Sequence, residues 1–135
     1  MKLGYDFFNR DALDVAPQLV GKVLVRKTED GEIRERIAET EAYRGEEDTA
    51  CHASKGRTKR TEILYGESGI IYVYLCYGMH WLINIVTGDE DDPQAVLIRA
   101  CVEAPGPGRL TKKLGITGEY RKILENPAIW LEYFQ

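Results

Sequence analysis

Nowhere in this 135-residue chain is there an apolar run of the roughly 18 residues that a membrane-crossing helix needs. The opening "MKLGYDFFNR" has no signal-peptide core, which argues against secretion. Cysteine is sparse. Cys51, Cys76 and Cys101 are an odd number with no CxxC spacing, the pattern of reduced thiols in a cytosolic compartment. A zinc site can be drawn on paper from Cys51, His52, Cys76, His80 and Cys101, but the spacings match no zinc-ligand pattern, so no metal and no cofactor is expected. There is no Gly-rich phosphate loop of nucleotide-binding spacing, and the "GPG" at 106–108 is only a weak phosphate signal. No internal repeat, low-complexity tract or linker interrupts the chain, so residues 1–135 read as one domain.

What is present is the composition of an ordinary soluble protein, 44% hydrophobic and 30% charged, which excludes disordered and fibrous classes. A net charge of −4 argues mildly against nucleic acid as a partner, because phosphate binding is largely electrostatic. The distribution matters more. Lys55, Arg57, Lys59 and Arg60 crowd into "KGRTKR" without an acid among them, while acids gather in "GEED" at 45–48 and "GDEDDP" at 88–93. A second basic stretch, Arg109, Lys112, Lys113, Arg121 and Lys122, is opposed locally by Glu119 alone. A surface separated in this way can hold an anion on one side, although charge runs are also what solvated loops look like.

The patterning predicts the elements. Asp11 can cap a first helical turn, and Pro17 suits the first position of a second short helix closed by Gly21. A strand follows over 22–28, with an Asp-Gly turn in "EDGE" (29–32). Its partner strand, 33–43, would put Ile33, Ile37, Glu39, Glu41 and Tyr43 on one face. Asp48 can cap a short helix over 48–54, and residues 70–76 pair with 79–87 in a hairpin turning at Tyr77 and Gly78. A strand over 94–102, a helix ending at Gly115 and a helical "EYRKIL" complete the chain. Hairpin-joined strands with helices at both ends predict an α+β fold, not a doubly wound parallel sheet.

Four polar residues stand where the pattern wants apolar ones: Glu41, Asn84 between Leu82 and Val86, Arg99 between Leu97 and Cys101, and His52 on the short helix. Unpaired buried charge is expensive, so Glu41 and Arg99 are expected to meet directly or through a shared water. A strand carboxylate and an arginine holding one water would make a hydrolytic site with the glutamate as base. Plainer readings stand beside this one. Glu39 and Glu41 can face solvent, Asn84 can be a satisfied core amide, and Arg99 half of a structural ion pair. His52 can be a plain helix residue, and Tyr72 or Tyr74 core aromatics. Glu39 and Glu41, about 7 Å apart at Cα on one strand face, would also allow a two-carboxylate glycosidic mechanism.

In "IYVYLCYGMHWLIN" (71–84), Tyr72 and Tyr74 keep the strand period, whereas Tyr77 breaks it beside Gly78. Rings so placed need something flat to touch. The residues alone lead to a hydrolase or binding site for something flat and anionic, and no further.

"ETEAYRGEEDTACHASKGRTKRT", "YVYLCYGMHWLIN" and "AVLIRA" resemble the alkyladenine (3-methyladenine) DNA glycosylase family, with "LVGKVLVR" and "GPGRLTKKLGI" matching its flanking segments in order. The resemblance runs from about residue 5 to 132. It implies a single domain with a curved, mostly antiparallel sheet, a protruding hairpin and short flanking helices. It also implies a monofunctional enzyme that flips alkylated or deaminated purines, such as 3-methyladenine, 7-methylguanine, hypoxanthine and ethenoadenine, out of double-stranded DNA. By position, Glu41 would activate the water and Arg99 hold it. Tyr43, Tyr74 and His52 would sandwich the base, Asn84 would line the pocket floor, and Tyr77 would intercalate. Lys55, Arg57, Lys59 and Arg60 would contact phosphates. The protein is expected to be a cytoplasmic monomer, nucleoid-associated if bacterial, that needs no cofactor.

The chain departs from the family pattern in two places. Cys101 to Gly106 is a shorter connection than is usual, and the family's strand-forming sequence after "AIWLE" is lacking, "YFQ" resembling a tag remnant. These departures keep two alternatives open: a damaged-DNA-binding module without catalysis, and a hydrolase of free nucleosides.

Overall fold

The computed structural model describes residues 2–44, 68–76, 80–89, 93–116 and 128–134. Along the chain lie α1 (Tyr5–Phe8), α2 (Ala12–Leu19), β1 (Val23–Thr28), β2 (Gly31–Arg44), β3 (Ile71–Cys76), β4 (His80–Val86), β5 (Gln94–Cys101), α3 (Pro107–Leu114) and β6 (Ile129–Glu132). The six strands form one sheet in the order β3-β4-β5-β2-β1-β6, with antiparallel neighbours throughout. The α+β expectation is met. No strand is expected at 129–132 from the sequence; β6 is four residues long and is held by pairing with β1 and by a bridge from Glu132 to Lys2.

Local chemistry explains most boundaries. Thr28 pairs with Gly31 across the first hairpin, so the turn residues are Glu29 and Asp30, one step earlier than an Asp-Gly turn would have it. Gly31 has φ +122°, a conformation that side chains resist. Asp11 caps α2 as expected, its Oδ1 accepting the Leu13 N–H at 2.8 Å. Pro17 starts no second helix. It lies inside α2, which runs unbroken to Leu19 because Ala12, Val15, Ala16 and Leu19 form one buried stripe. The only hydrogen bond proline removes here would have gone to the carbonyl of Leu13, an exposed residue. Gly115, left-handed at φ +65°, ends α3 as the sequence requires, and Cys101 and Ala104 close a tight turn ahead of that helix.

The main core lies on one side of the sheet. Phe8 of α1, Val15 and Leu19 of α2, and Leu110 and Leu114 of α3 pack there against Ile37, Ile71, Ile83, Ile85, Val96 and Ile98. Among the bonds that tie helices to strands, Thr40 Oγ1 donates to the Ala16 carbonyl at 2.7 Å, and Thr111 Oγ1 to the Trp81 carbonyl at 2.7 Å.

Strand β2 does not keep one face along its length. Ile37 pairs with Cys101, Glu39 with Ala100 and Thr40 with Ile98, with register shifts on either side of Glu39. Ala38 is therefore extra on β2 and Arg99 extra on β5, two compensating irregularities back to back. Before them the odd residue Ile37 enters the core; after them the even residues Thr40 and Ala42 do. An inserted residue reverses which side chains face inward. The single face expected for Ile33, Ile37, Glu39, Glu41 and Tyr43 is thus corrected: Ile37 belongs to the core, and Glu41 and Tyr43 to the opposite side.

A candidate active site on the second face of the sheet

Residues directly opposite in antiparallel strands project to the same side. Glu41 pairs with Leu97 and Leu97 with Asn84, which makes a row across β2, β5 and β4. One step along, Tyr43, Ala95 and Val86 form a parallel row. Both rows lie on the side away from the main core. The strand period puts Arg99 in the phase of Leu97, whereas Cys101, beyond the irregularity, is in the core. Arg99 and Cys101, taken as one face from the sequence, are on two.

The charged pair meets. Arg99 Nη1 donates to Glu41 Oε1 at 2.8 Å, and the Tyr43 hydroxyl donates to Glu41 Oε2 at 2.6 Å. The carboxylate is held from both ends, by a residue two positions along its own strand and by one from the neighbouring strand. It is not sealed off: the side chains are 37% exposed for Glu41 and 51% for Arg99. The expectation of a buried pair is corrected in that respect. Double irregularity in β2 and β5 turns both residues out of the core, so no full desolvation cost drives the pairing.

Asn84 is buried, its Nδ2 lying 3.5 Å from the Leu82 carbonyl. Tyr74 is placed by its backbone, which pairs with Leu82 two positions from the Tyr72–Asn84 pair. His52, Tyr77, Lys55, Arg57, Lys59 and Arg60 lie outside the described residues, as do the predicted helix over 48–54 and "EYRKIL". Glu39 is exposed and pairs with Ala100 inside the irregular stretch, while the arginine goes to Glu41.

Three features had no strong signal in the sequence. The most buried carboxylate among the described residues is Glu35, held by Lys113 of α3 at 2.9 Å. The end of β2 is anchored to α2 by an Arg44–Asp11 ion pair at 2.9 Å. Gln94, backbone partner of Arg44, accepts the Ala12 N–H at 2.7 Å through Oε1. The i, i+2 spacing of Glu41 and Tyr43 was a usable clue to their contact, because such residues share a strand face.

Cys101 is a core thiol, pushed up to about 12 chiefly by burial and then by the charge of Glu35. Among the described residues no three histidines, cysteines or carboxylates gather as a metal site would require. An open depression of about 680 Å³ at the β1–β2 turn, lined by Arg26 to Asp30 and Ala128, contains none of the candidate residues.

The fold and site define an α+β protein with an acid–arginine–tyrosine constellation on the outer face of a curled antiparallel sheet. Its sequence matches the methylpurine-DNA glycosylase family over residues 6–104, and the chain belongs to that family. A relative from Borreliella afzelii is 48% identical over 129 aligned residues, covering 87% of this chain and 69% of its own length. One from Desulfitobacterium hafniense is 53% identical over 106 residues, with 78% of this chain and 52% of the relative covered. A third, from Myxococcus xanthus, is 47% identical over 137 residues, with 93% of this chain and 70% of the relative covered. All three carry the name "Putative 3-methyladenine DNA glycosylase". The chain thus spans between about half and about 70% of the length of these relatives.

Proposed function

We propose that this protein hydrolyses the N-glycosidic bond of damaged purines in duplex DNA. The observation that carries the reading is the Glu41 carboxylate, accessible yet fixed by Arg99 and Tyr43 on a sheet face that also carries Asn84. A carboxylate has about four acceptor positions, so two bonds leave room for a water. Glu41 takes a proton from that water as its oxygen bonds to the sugar C1′. The bond from C1′ to the purine nitrogen breaks, and its electron pair leaves with the base. A purine alkylated at a ring nitrogen is already cationic and departs neutral; hypoxanthine needs a proton or strong contacts and departs more slowly.

Stacking in the duplex hides the glycosidic bond, so the nucleotide has to be flipped out. In this reading Tyr77 fills the gap, and Tyr43 stacks against one side of the base with Tyr74 and His52 on the other. Asn84 is the pocket floor, and Lys55, Arg57, Lys59 and Arg60 hold phosphates. Single-turnover assays on duplexes carrying 3-methyladenine or hypoxanthine test it directly. Base release that disappears in Glu41→Gln supports the proposal. Tight lesion binding with no release would leave a damaged-DNA-binding module, and release only from free nucleosides would make it a nucleosidase.

A further inference from the structure

Glu41 carries the proposed chemistry and has two partners, Arg99 and Tyr43, which do not hold it equally. A glutamate has three side-chain torsions, and this one stands on an exposed strand face. A single hydrogen bond to one oxygen still lets the carboxylate plane turn; bonds to both oxygens fix it. Arg99 is a weak aiming device by itself, because its side chain is 51% exposed and exposed ion pairs are loosely held. Tyr43 differs. It has two torsions, its ring is half-buried beside Ala95, its backbone partner, and its hydroxyl is 2.6 Å from Glu41 Oε2. Hydrogen bonds to a charged acceptor are roughly twice as strong as neutral ones.

We propose that the Tyr43 hydroxyl is a positioning group for Glu41, through which occupancy of the site is coupled to the orientation of the carboxylate. The ring projects from the same sheet face as Glu41, two residues away, so a flat ligand against that ring restricts its rotation. The hydroxyl then points the carboxylate at one place, and the water it holds with it. Coupling of this kind would favour hydrolysis when a base is seated against the ring, because the Tyr43–Glu41 bond already present would then be held more rigidly. The inference rests on the proposed glycosylase activity and goes beyond it, since it assigns the phenol oxygen a task separate from any stacking by the ring.

Tyr43→Phe keeps the ring and removes only the oxygen; Tyr43→Leu removes both. Two quantities are to be measured with wild type and both variants. One is the single-turnover rate at saturating protein on a hypoxanthine duplex. The other is the affinity for the same duplex with the lesion sugar made uncleavable by 2′-fluorine. For Tyr43→Phe the expected result is a rate about 10- to 100-fold lower with affinity within about twofold of wild type. Tyr43→Leu should lose both rate and affinity. A crystal structure of Tyr43→Phe gives a second readout independent of rate, with Glu41 expected in a different rotamer or in several. A Tyr43→Phe rate equal to wild type, an affinity loss matching the rate loss, or an unmoved Glu41 would each overturn the positioning role while leaving the glycosylase reading intact. A wild-type protein that releases no base overturns both.

Discussion

Arg99 reaches Glu41 diagonally: the backbone partner of Glu41 on β5 is Leu97, two residues earlier, yet Nη1 of Arg99 lies 2.8 Å from Oε1. A register shift beside Glu39 makes Arg99 the extra residue on its strand, so its side chain leans along the sheet without a backbone partner opposite. Diagonal neighbours on one face are about 7 to 8 Å apart, a span that a long side chain bridges.

Replacing Glu41 by Gln is expected to abolish base release and to leave lesion-duplex affinity nearly unchanged. Loss of a general base typically costs about 10²- to 10⁴-fold in rate. Glu39→Gln should retain activity, because its carboxylate lies outside the Arg99 pair. Single-turnover rates for both variants decide the matter; a dead Glu39→Gln beside an active Glu41→Gln would transfer the role to Glu39.

Asn84 is buried on the same face as Glu41, in line with it through Leu97. If it guards the pocket floor, its amide obstructs the 2-amino group that distinguishes guanine from hypoxanthine. Leaving such a group unpaired costs about 1 to 3 kcal/mol, or roughly 5- to 150-fold in rate. Asn84→Ala is expected to narrow the ratio of hypoxanthine to guanine release by about that factor. An unchanged ratio in a folded variant would make Asn84 a core amide.

The abasic product is expected to remain un-nicked. Strand cleavage by β-elimination generally uses an amine that forms a Schiff base, and β2, β3 and β5 contain no lysine. Borohydride trapping with hypoxanthine duplex should yield no covalent protein–DNA adduct.

Gln94→Ala should destabilise the fold without touching the carboxylate site. Its Oε1 accepts the buried Ala12 N–H at 2.7 Å, and removing it strands a donor at the start of α2. The expected cost is about 1 to 3 kcal/mol, read as a lowered midpoint in chemical denaturation.

Glu132 links acid stability to β6. Its carboxyl is lowered from 4.5 first by the Arg34 hydrogen bond and then by the Trp130 indole N–H. A folded-state value below the unfolded one means that this contribution is present above about pH 4.5 and fades as pH falls through the lowered value. Glu132→Gln should therefore be less stable than wild type near neutrality, with the difference shrinking below about pH 4. Denaturation midpoints at several pH values check the sign.

Much of this protein was legible in its sequence because the governing physics is local. Asp11 announced a helix start, Gly115 a helix end, and alternating apolar residues the paired strands β3 and β4. The residues at issue were also visible: Glu41, Asn84 and Arg99 were polar in apolar surroundings, and their motifs pointed to the family. Face assignment was not legible. Counting by twos along β2 put Ile37 and Glu41 together, and only the compensating insertions of Ala38 and Arg99 separate them. Such an insertion has no local signature, because it is settled by how β2 must meet β5 while Ile37, Thr40 and Ala42 meet the core and α2. Nor could Pro17 show that it would be tolerated inside α2, since burial of the helix's apolar stripe against the sheet decides that. The same holds for Gln94, whose partner Ala12 is 82 residues away, and for β6, which is held by β1 and by Lys2 near the start of the chain. Sequence determined which groups were available; the register of distant strands decided which side of the sheet they would serve.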